Sequence, residues 1–273
     1  VNFNPSSIPV PNVPNAPVKT RKNWPIQDEL KMKHRGETVI IMGNGPSIKD
    51  YDLSDPFFKD NVTIGVNAIG NLFSPTYYLI ADTVAWQKFK ALVKNSYLLM
   101  GCMTPGAERE VQNRRKQGKG ASVVYYNNDV SRGCAGSPKI GTIYHGRTGG
   151  MVALHTAFQM GFRKYFLLGI DGYGIKGDPH YYKVNSAGRP SDTKLADDRV
   201  RANLELFRPA IEKLGGRIWT LSQDTVFDCI PFWEADDDPD DDPEPSEDEA
   251  DSTVEEADDD PDPTGSASFS DET

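Results

Sequence analysis

The chain of 273 residues has only three cysteines, Cys102, Cys134 and Cys229, far apart and without CxxC spacing. That excludes a disulfide scaffold and a thiolate-clustered metal site, and the spacing reads as free thiols in a reducing compartment. No apolar run approaches the roughly 20 residues needed to cross a bilayer, and no charged-then-apolar signal opens the chain. The expectation is a cytoplasmic protein without a membrane span. Histidine is scarce, at four, and no internal repeat is visible. Hydrophobic residues make up 37%, low for a wholly folded chain, and the shortfall sits at the two ends.

Those ends differ in kind. Residues 1–24 carry Pro5, Pro9, Pro11, Pro14 and Pro17 without a period, which predicts an extended arm. Residues 234–273 are rich in Asp, Glu, Pro and Ser and predict a disordered acidic tail. Of the 40 acidic residues 20 lie in that tail, with none of the 30 bases. The tail therefore carries −20 and residues 1–233 carry +10, although the whole chain is −10. A basic body permits polyanion contact, for which the run from Arg109 to Lys119 is the candidate, read here as a surface loop. The Asp runs of the tail have no strand before them and read as solvated.

The middle, 25–233, carries the pattern of one α/β domain. Thr38-Val39-Ile40-Ile41-Met42 suits a strand buried on both faces, and it runs into Gly43-Asn44-Gly45-Pro46-Ser47. Its two glycines let the backbone turn and approach a ligand, and Ser47 is placed to cap a following helical turn. About a hundred residues on, Arg147-Thr148-Gly149-Gly150 opens a helical pattern, with apolar residues at 151, 154, 158 and 162. The strand run 164–170 follows, and then Asp171-Gly172-Tyr173-Gly174. Further strands are expected at 62–67, 75–82, 97–100, 123–126 and 217–221, and a helix from about Asp197 to Leu214. The prediction is a Rossmann-like, doubly wound, mostly parallel sheet. Asn44, Asn67, Asp82 and Asp171 each follow an apolar run, where such a sheet presents its ligand crevice.

Of the histidines, His34 reads as solvated, His155 as a packed and satisfied helix residue, and His145 as either a phosphate contact or a surface loop. His180 lies in a loop beyond the Asp171 strand end, where an imidazole suits proton abstraction. Arg147, Tyr173, Tyr181 or Tyr182 and the turn N–H groups could stabilise a departing phosphate. Asp82 and Asp171 could instead hold Mg²⁺ on a pyrophosphate.

The blocks GNGPSIKDYDLSDP and RTGGMVALHTAFQMGFRKYFLLGIDGY resemble the bacterial sialyltransferases that use CMP-sialic acid. They also resemble a wider set, often phage-encoded, of motility-associated glycosyltransferases and 6-hydroxymethylpterin diphosphokinase-like proteins. The similarity runs from about Val39 to about Phe232. It implies transfer of a sugar from a nucleotide-sugar donor, without a metal cofactor, to a glycan or small-molecule acceptor in a host cytoplasm. It implies a donor site in which Asn44, Gly45 and Ser47 form the first turn and Asn67 ends the second strand. Arg147, Thr148, Gly149 and Gly150 would form the second turn, with Gly149 where a serine is usual. Tyr173 would support the leaving phosphate and His180 would be the base. Asp82 stands where an asparagine would read cytosine, exchanging an amide for an acceptor-only carboxylate. The pyrophosphokinase alternative implies Mg²⁺, and a third reading is a non-catalytic nucleotide- or nucleic-acid-binding protein.

Overall fold

Along β1 (Thr38–Met42), Val39 and Ile41 face one hydrophobic layer while Ile40 and Met42 face the other. All four are fully buried, which is why the strand reads as an unbroken apolar run rather than an alternation. The computed structural model describes residues 25–126, 136–146, 148–175, 178–182 and 192–234. The expected arm, all but the first residue of the expected tail, Arg147 and Cys134 lie outside them.

Six more strands join β1: β2 (Val62–Val66), β3 (Tyr77–Ile80), β4 (Tyr97–Gly101), β5 (Ala121–Val124), β6 (Lys164–Leu168) and β7 (Arg217–Thr220). Their order is β5-β4-β3-β2-β1-β6-β7, and every neighbouring pair is parallel. The chain winds outward from β1 to β5, then returns to lay β6 on the other side of β1. The topological switch point therefore lies between β1 and β6, at whose carboxyl ends ligands bind in open α/β sheets.

Helices α1 (Pro56–Asp60), α2 (Thr83–Phe89) and α3 (Ala107–Lys116) cover one face, and α4 (Gly149–Gln159) and α5 (Thr193–Glu212) the other. This is the three-layer, doubly wound α/β domain expected. Residues 150–159 of α4 are all buried, the polar His155, Thr156 and Gln159 among them, so the helix has no solvent face. Its last carbonyls are met from the lead-in: Met32 and His34 donate their N–H groups to Gln159 and Met160 at 3.0 and 2.8 Å. No described helix is long and apolar enough to cross a membrane.

Two expectations fail here. The surface loop expected between Arg109 and Lys119 is largely α3, held by Ala107 and Val111. Glu108 and Glu110 lie in its first turn and Arg114, Arg115 and Lys116 in its last, the polarity that the helix dipole favours. Arg114 turns inward, 7% exposed, towards the Val93 and Ser96 carbonyls, and Arg115 binds Glu29, Gln27 and the Ala121 carbonyl. Two of the bases counted towards a polyanion surface thus hold the fold together. His34, expected in solvent, is buried, stacks on Phe162 at 4.6 Å, and bonds Tyr77 Oη at 2.7 Å and Glu37 at 2.9 Å.

Candidate functional site

The first turn is built against the end of β6. Gly43 and Gly45 donate their N–H groups to the Leu168 and Gly169 carbonyls, both at 2.7 Å. A Cβ on Gly43 would stand 2.1 Å from the Gly169 oxygen, and one on Gly45 2.2 Å from Asp171 Oδ2. Both glycines are thus demanded by the approach of two strand ends at the switch point, before any ligand enters. Ser47 does not cap the 3-10 turn Pro46–Asp50, whose N-cap is Gly45. Its N–H and hydroxyl instead donate to the Asp171 carboxylate at 2.9 and 2.7 Å, and its Oγ accepts the Gly169 N–H at 3.1 Å.

Asn44 ties this turn to its neighbours. Its side chain donates to the Val66 carbonyl at 3.2 Å and accepts from the Ala68 N–H at 3.1 Å, while its own carbonyl accepts from Tyr181 N–H at 2.9 Å. Asn67, just past β2, adopts φ +50°, a left-handed conformation that asparagine tolerates better than most residues. Its carbonyl takes the Tyr78 hydroxyl, and its Oδ1 is buried without a hydrogen-bond partner among the described residues.

The second turn starts α4. Thr148 is the N-cap, its Oγ1 accepting the Met151 N–H at 3.2 Å. The Gly149 and Gly150 N–H groups then stand at the positive end of an 11-residue helix with no intrahelical acceptor. A Cβ on Gly149 would lie 3.6 Å from Val66 Cβ, so that position has room for a small side chain.

These elements enclose a crevice of about 380 Å³ at the carboxyl ends of the strands. Gly43, Asn44, Gly45, Asn67, Asp82, Thr148, Gly149, Gly150 and Asp171 all line it. So do Tyr173, His180 and Tyr182. Ser47 and Tyr181 do not: Ser47 faces Asp171 from a second opening, and Tyr181 Oη donates to the Ala68 carbonyl at 2.5 Å. Arg147 lies outside the described residues. His145 stacks on Tyr126 with ring centroids 4.9 Å apart and does not line the crevice.

The loop 178–182 places three rings together. The His180 ring lies 5.9 Å from that of Tyr173 and 5.3 Å from that of Tyr182. Burial raises the pKa of Tyr173, with Asp197 adding to the effect, and raises Tyr182 to about 12. Both phenols therefore remain hydrogen-bond donors at neutral pH.

Two charged lining residues have no sign in the sequence reading. Lys88 on α2 holds its Nζ 5.4 Å from the Tyr182 ring centroid and brings a cation to the crevice. Asp197 on α5 accepts from the Tyr173 N–H at 2.8 and 3.0 Å and from the Gly174 N–H at 2.7 Å, fixing the loop after β6. The apolar spacing of Trp86, Phe89, Leu92 and Val93 marks one face of this helix and gives no sign of Lys88.

The proposed Mg²⁺ pair fits poorly. Asp171 is 2% exposed with both oxygens on Ser47, and Asp82 Oδ1 caps α2 by accepting the Ala85 N–H at 2.8 Å. Three of the four carboxylate oxygens thus already hold protein donors. Among the described residues no group of three or more His, Cys, Asp or Glu stands together as a metal site.

Fold and crevice together define a doubly wound α/β protein with a ligand-sized opening at its switch point. No protein-family model and no curated protein sequence matches the chain. Among solved structures it is similar to the monofunctional α-2,3-sialyltransferase Cst-I of Campylobacter jejuni, at 14% identity and TM-score 0.47, over 72% of this chain and 80% of that one. It is also similar to the C. jejuni sialyltransferase CstII crystallised with cytidine-5′-monophosphate, at 14% identity and TM-score 0.43, over 72% and 85%.

Proposed function

We propose that the chain is a glycosyltransferase that takes a nucleotide-sugar donor, of the CMP type, in the switch-point crevice. The observation that carries this reading is the convergence, on one opening, of the first Gly turn, the α4 N-terminus and the rings of His180, Tyr173 and Tyr182. An uncapped pair of N–H groups at a helix start suits a phosphate. Asn67 Oδ1, buried and unpaired, suits a donor on the nucleoside. Asp82 at the crevice wall accepts from an exocyclic amine, which cytosine has and uracil lacks.

In this reading His180 takes the proton of an acceptor hydroxyl as that oxygen forms its bond to the anomeric carbon. The bond from that carbon to the phosphate oxygen breaks on the opposite face, so configuration inverts. The negative charge left on the phosphate falls on the Gly149 and Gly150 N–H groups, with Tyr173, Tyr182, Lys88 and Arg147 as further donors. No step calls for a metal. The engaged carboxylates of Asp82 and Asp171 favour this over Mg²⁺-dependent pyrophosphoryl transfer.

Thermal shift with CMP, UMP, GDP, ADP and ATP, each with and without Mg²⁺, tests the donor. A ligand at a hundred times its dissociation constant adds about 2.7 kcal/mol of stability. CMP is expected to give the largest shift, independent of Mg²⁺; a Mg²⁺-dependent preference for ATP would overturn the reading. For the base, His180→Ala is expected to lower turnover of a CMP-sugar by roughly 10²–10⁴ with CMP affinity unchanged. Unaltered turnover would remove His180 from the chemistry.

A further inference from the structure

On the other side of Asp171 lies a second crevice, of about 930 Å³, which the donor reading does not use. It opens between the Pro46–Asp50 turn after β1 and the segment 221–232 that follows β7. Among the described residues Asp171 alone lines both crevices.

Its walls are mixed in a particular way. Tyr51 and Phe232 supply two aromatic rings, the first fixed by its side chain and the second carried on a held backbone. Tyr51 Oη donates to the Leu221 carbonyl at 2.6 Å and its ring meets Phe58 edge-on. Phe232 pairs with Thr220 in a parallel bridge, flanked by backbone bonds of 2.8 and 3.0 Å. Around the rings stand Gln223, Asp224, Asp50 and Lys49, all exposed. Ser222, 2% exposed in the same wall, keeps its Oγ buried with no hydrogen-bond partner among the described residues.

The chemistry narrows the ligand. Among the described lining residues one lysine stands against two exposed aspartates and the buried Asp171, a balance that disfavours phosphates and other anions. Its polar groups are too many for a lipid or a purely apolar ligand. Carboxylates and an amide accept from and bridge neighbouring hydroxyls, and a hydroxyl can both donate and accept. Aromatic rings offer flat apolar area, and the Tyr51 ring, fixed beforehand, does so at little entropic cost. We infer that this crevice binds an uncharged, hydroxyl-rich ligand, a saccharide unit, with Ser222, Gln223 and Asp224 as its polar contacts and Tyr51 and Phe232 as its apolar ones. The inference stands whether or not the first crevice takes a nucleotide.

Isothermal titration of the full chain with lactose, maltotriose and sialyllactose, alongside CMP, tests it. At least one of the two neutral saccharides is expected to bind saturably, and sialyllactose more weakly than lactose. Gln223→Ala and Asp224→Ala, both at exposed positions, are each expected to weaken the neutral saccharide about tenfold, the size of one lost hydrogen bond. CMP binding should not change in either. The assignment is overturned if neither neutral saccharide saturates, if both variants bind as the parent does, or if sialyllactose binds more tightly than lactose. Loss of CMP binding alone would count against the donor reading and leave this site untouched.

Discussion

Ser47 and Asp171, 124 residues apart in sequence, are joined by two hydrogen bonds of 2.9 and 2.7 Å, from the serine N–H and hydroxyl to the two carboxylate oxygens. The pair locks the turn after β1 to the turn after β6, across the point where the sheet reverses its winding order. Ser47→Ala removes the hydroxyl from a buried carboxylate and from the Gly169 N–H. Hydrogen bonds to charged groups contribute about 1.5–3 kcal/mol, and chemical denaturation is expected to show a loss of that size. Asp171→Asn keeps one acceptor, offers N–H groups to donors, and should cost at least as much. A parent-like unfolding midpoint in both variants would mean that the lock contributes nothing.

The glycines of the two turns are expected to behave in opposite ways. Gly43→Ala drives a methyl to 2.1 Å from a backbone oxygen that has no room to move. A destabilisation of about 3 kcal/mol or more is expected. Gly149→Ser meets nothing nearer than 3.6 Å and should stay within about 0.5 kcal/mol of the parent. Comparing the two melting curves decides the point.

His155 makes the fold sensitive to acid. It is fully buried on α4 against Tyr144 and Phe207, and burial pulls its pKa down to about 4. Asn203 faces it closely enough to oppose that shift, yet neither ring nitrogen has a hydrogen-bond partner among the described residues, so there the histidine is packed but not satisfied as expected. The neutral ring is the native form. Above pH 6.5 its contribution is complete, and as pH falls from 6.5 to about 4 the unfolded chain binds a proton that the native one refuses. That amounts to about 3 kcal/mol lost over this window. His155→Leu, similar in volume, should flatten stability between pH 6.5 and 4; identical slopes in parent and variant would refute the assignment.

Lys88 is the described cation at the crevice. Lys88→Ala should weaken CMP about tenfold or more and make binding less sensitive to salt. Lys88→Arg keeps the charge and should retain most of the affinity. Equal affinity in the alanine variant would place the lysine outside the ligand's reach.

The sheet was legible because its strands are buried on both faces: runs such as Thr38–Met42 and Lys164–Leu168 contain little else. The turns that follow them were legible for the same reason, since a Gly or an Asp after such a run stands out. β5 begins two residues before the run 123–126, at Ala121 and Ser122, whose small side chains give a weak apolar signal. α3 was hidden because only Ala107 and Val111 mark its apolar stripe and its third inward residue is an arginine. His34 was hidden because its partners, Tyr77 and Phe162, are distant in sequence. Lys88 and Asp197 reach the crevice through the way α2 and α5 pack, which no local spacing records. Ser47, which local sequence places as a cap, is a lock, because the carboxylate that claims it comes 124 residues later.

The crevice wall is drawn from residues 43–45, 66–67, 82, 84–85, 88–89, 148–150, 169–173, 179–180, 182, 197, 200 and 227, segments spread over most of the sheet. No excised peptide could reproduce it, and no partly assembled sheet would present it. Saturation by any ligand of this opening therefore counts correctly assembled molecules. A stoichiometry measured in one titration would serve as a quality gauge for every variant prepared, separating a lost contact from a chain that never finished folding.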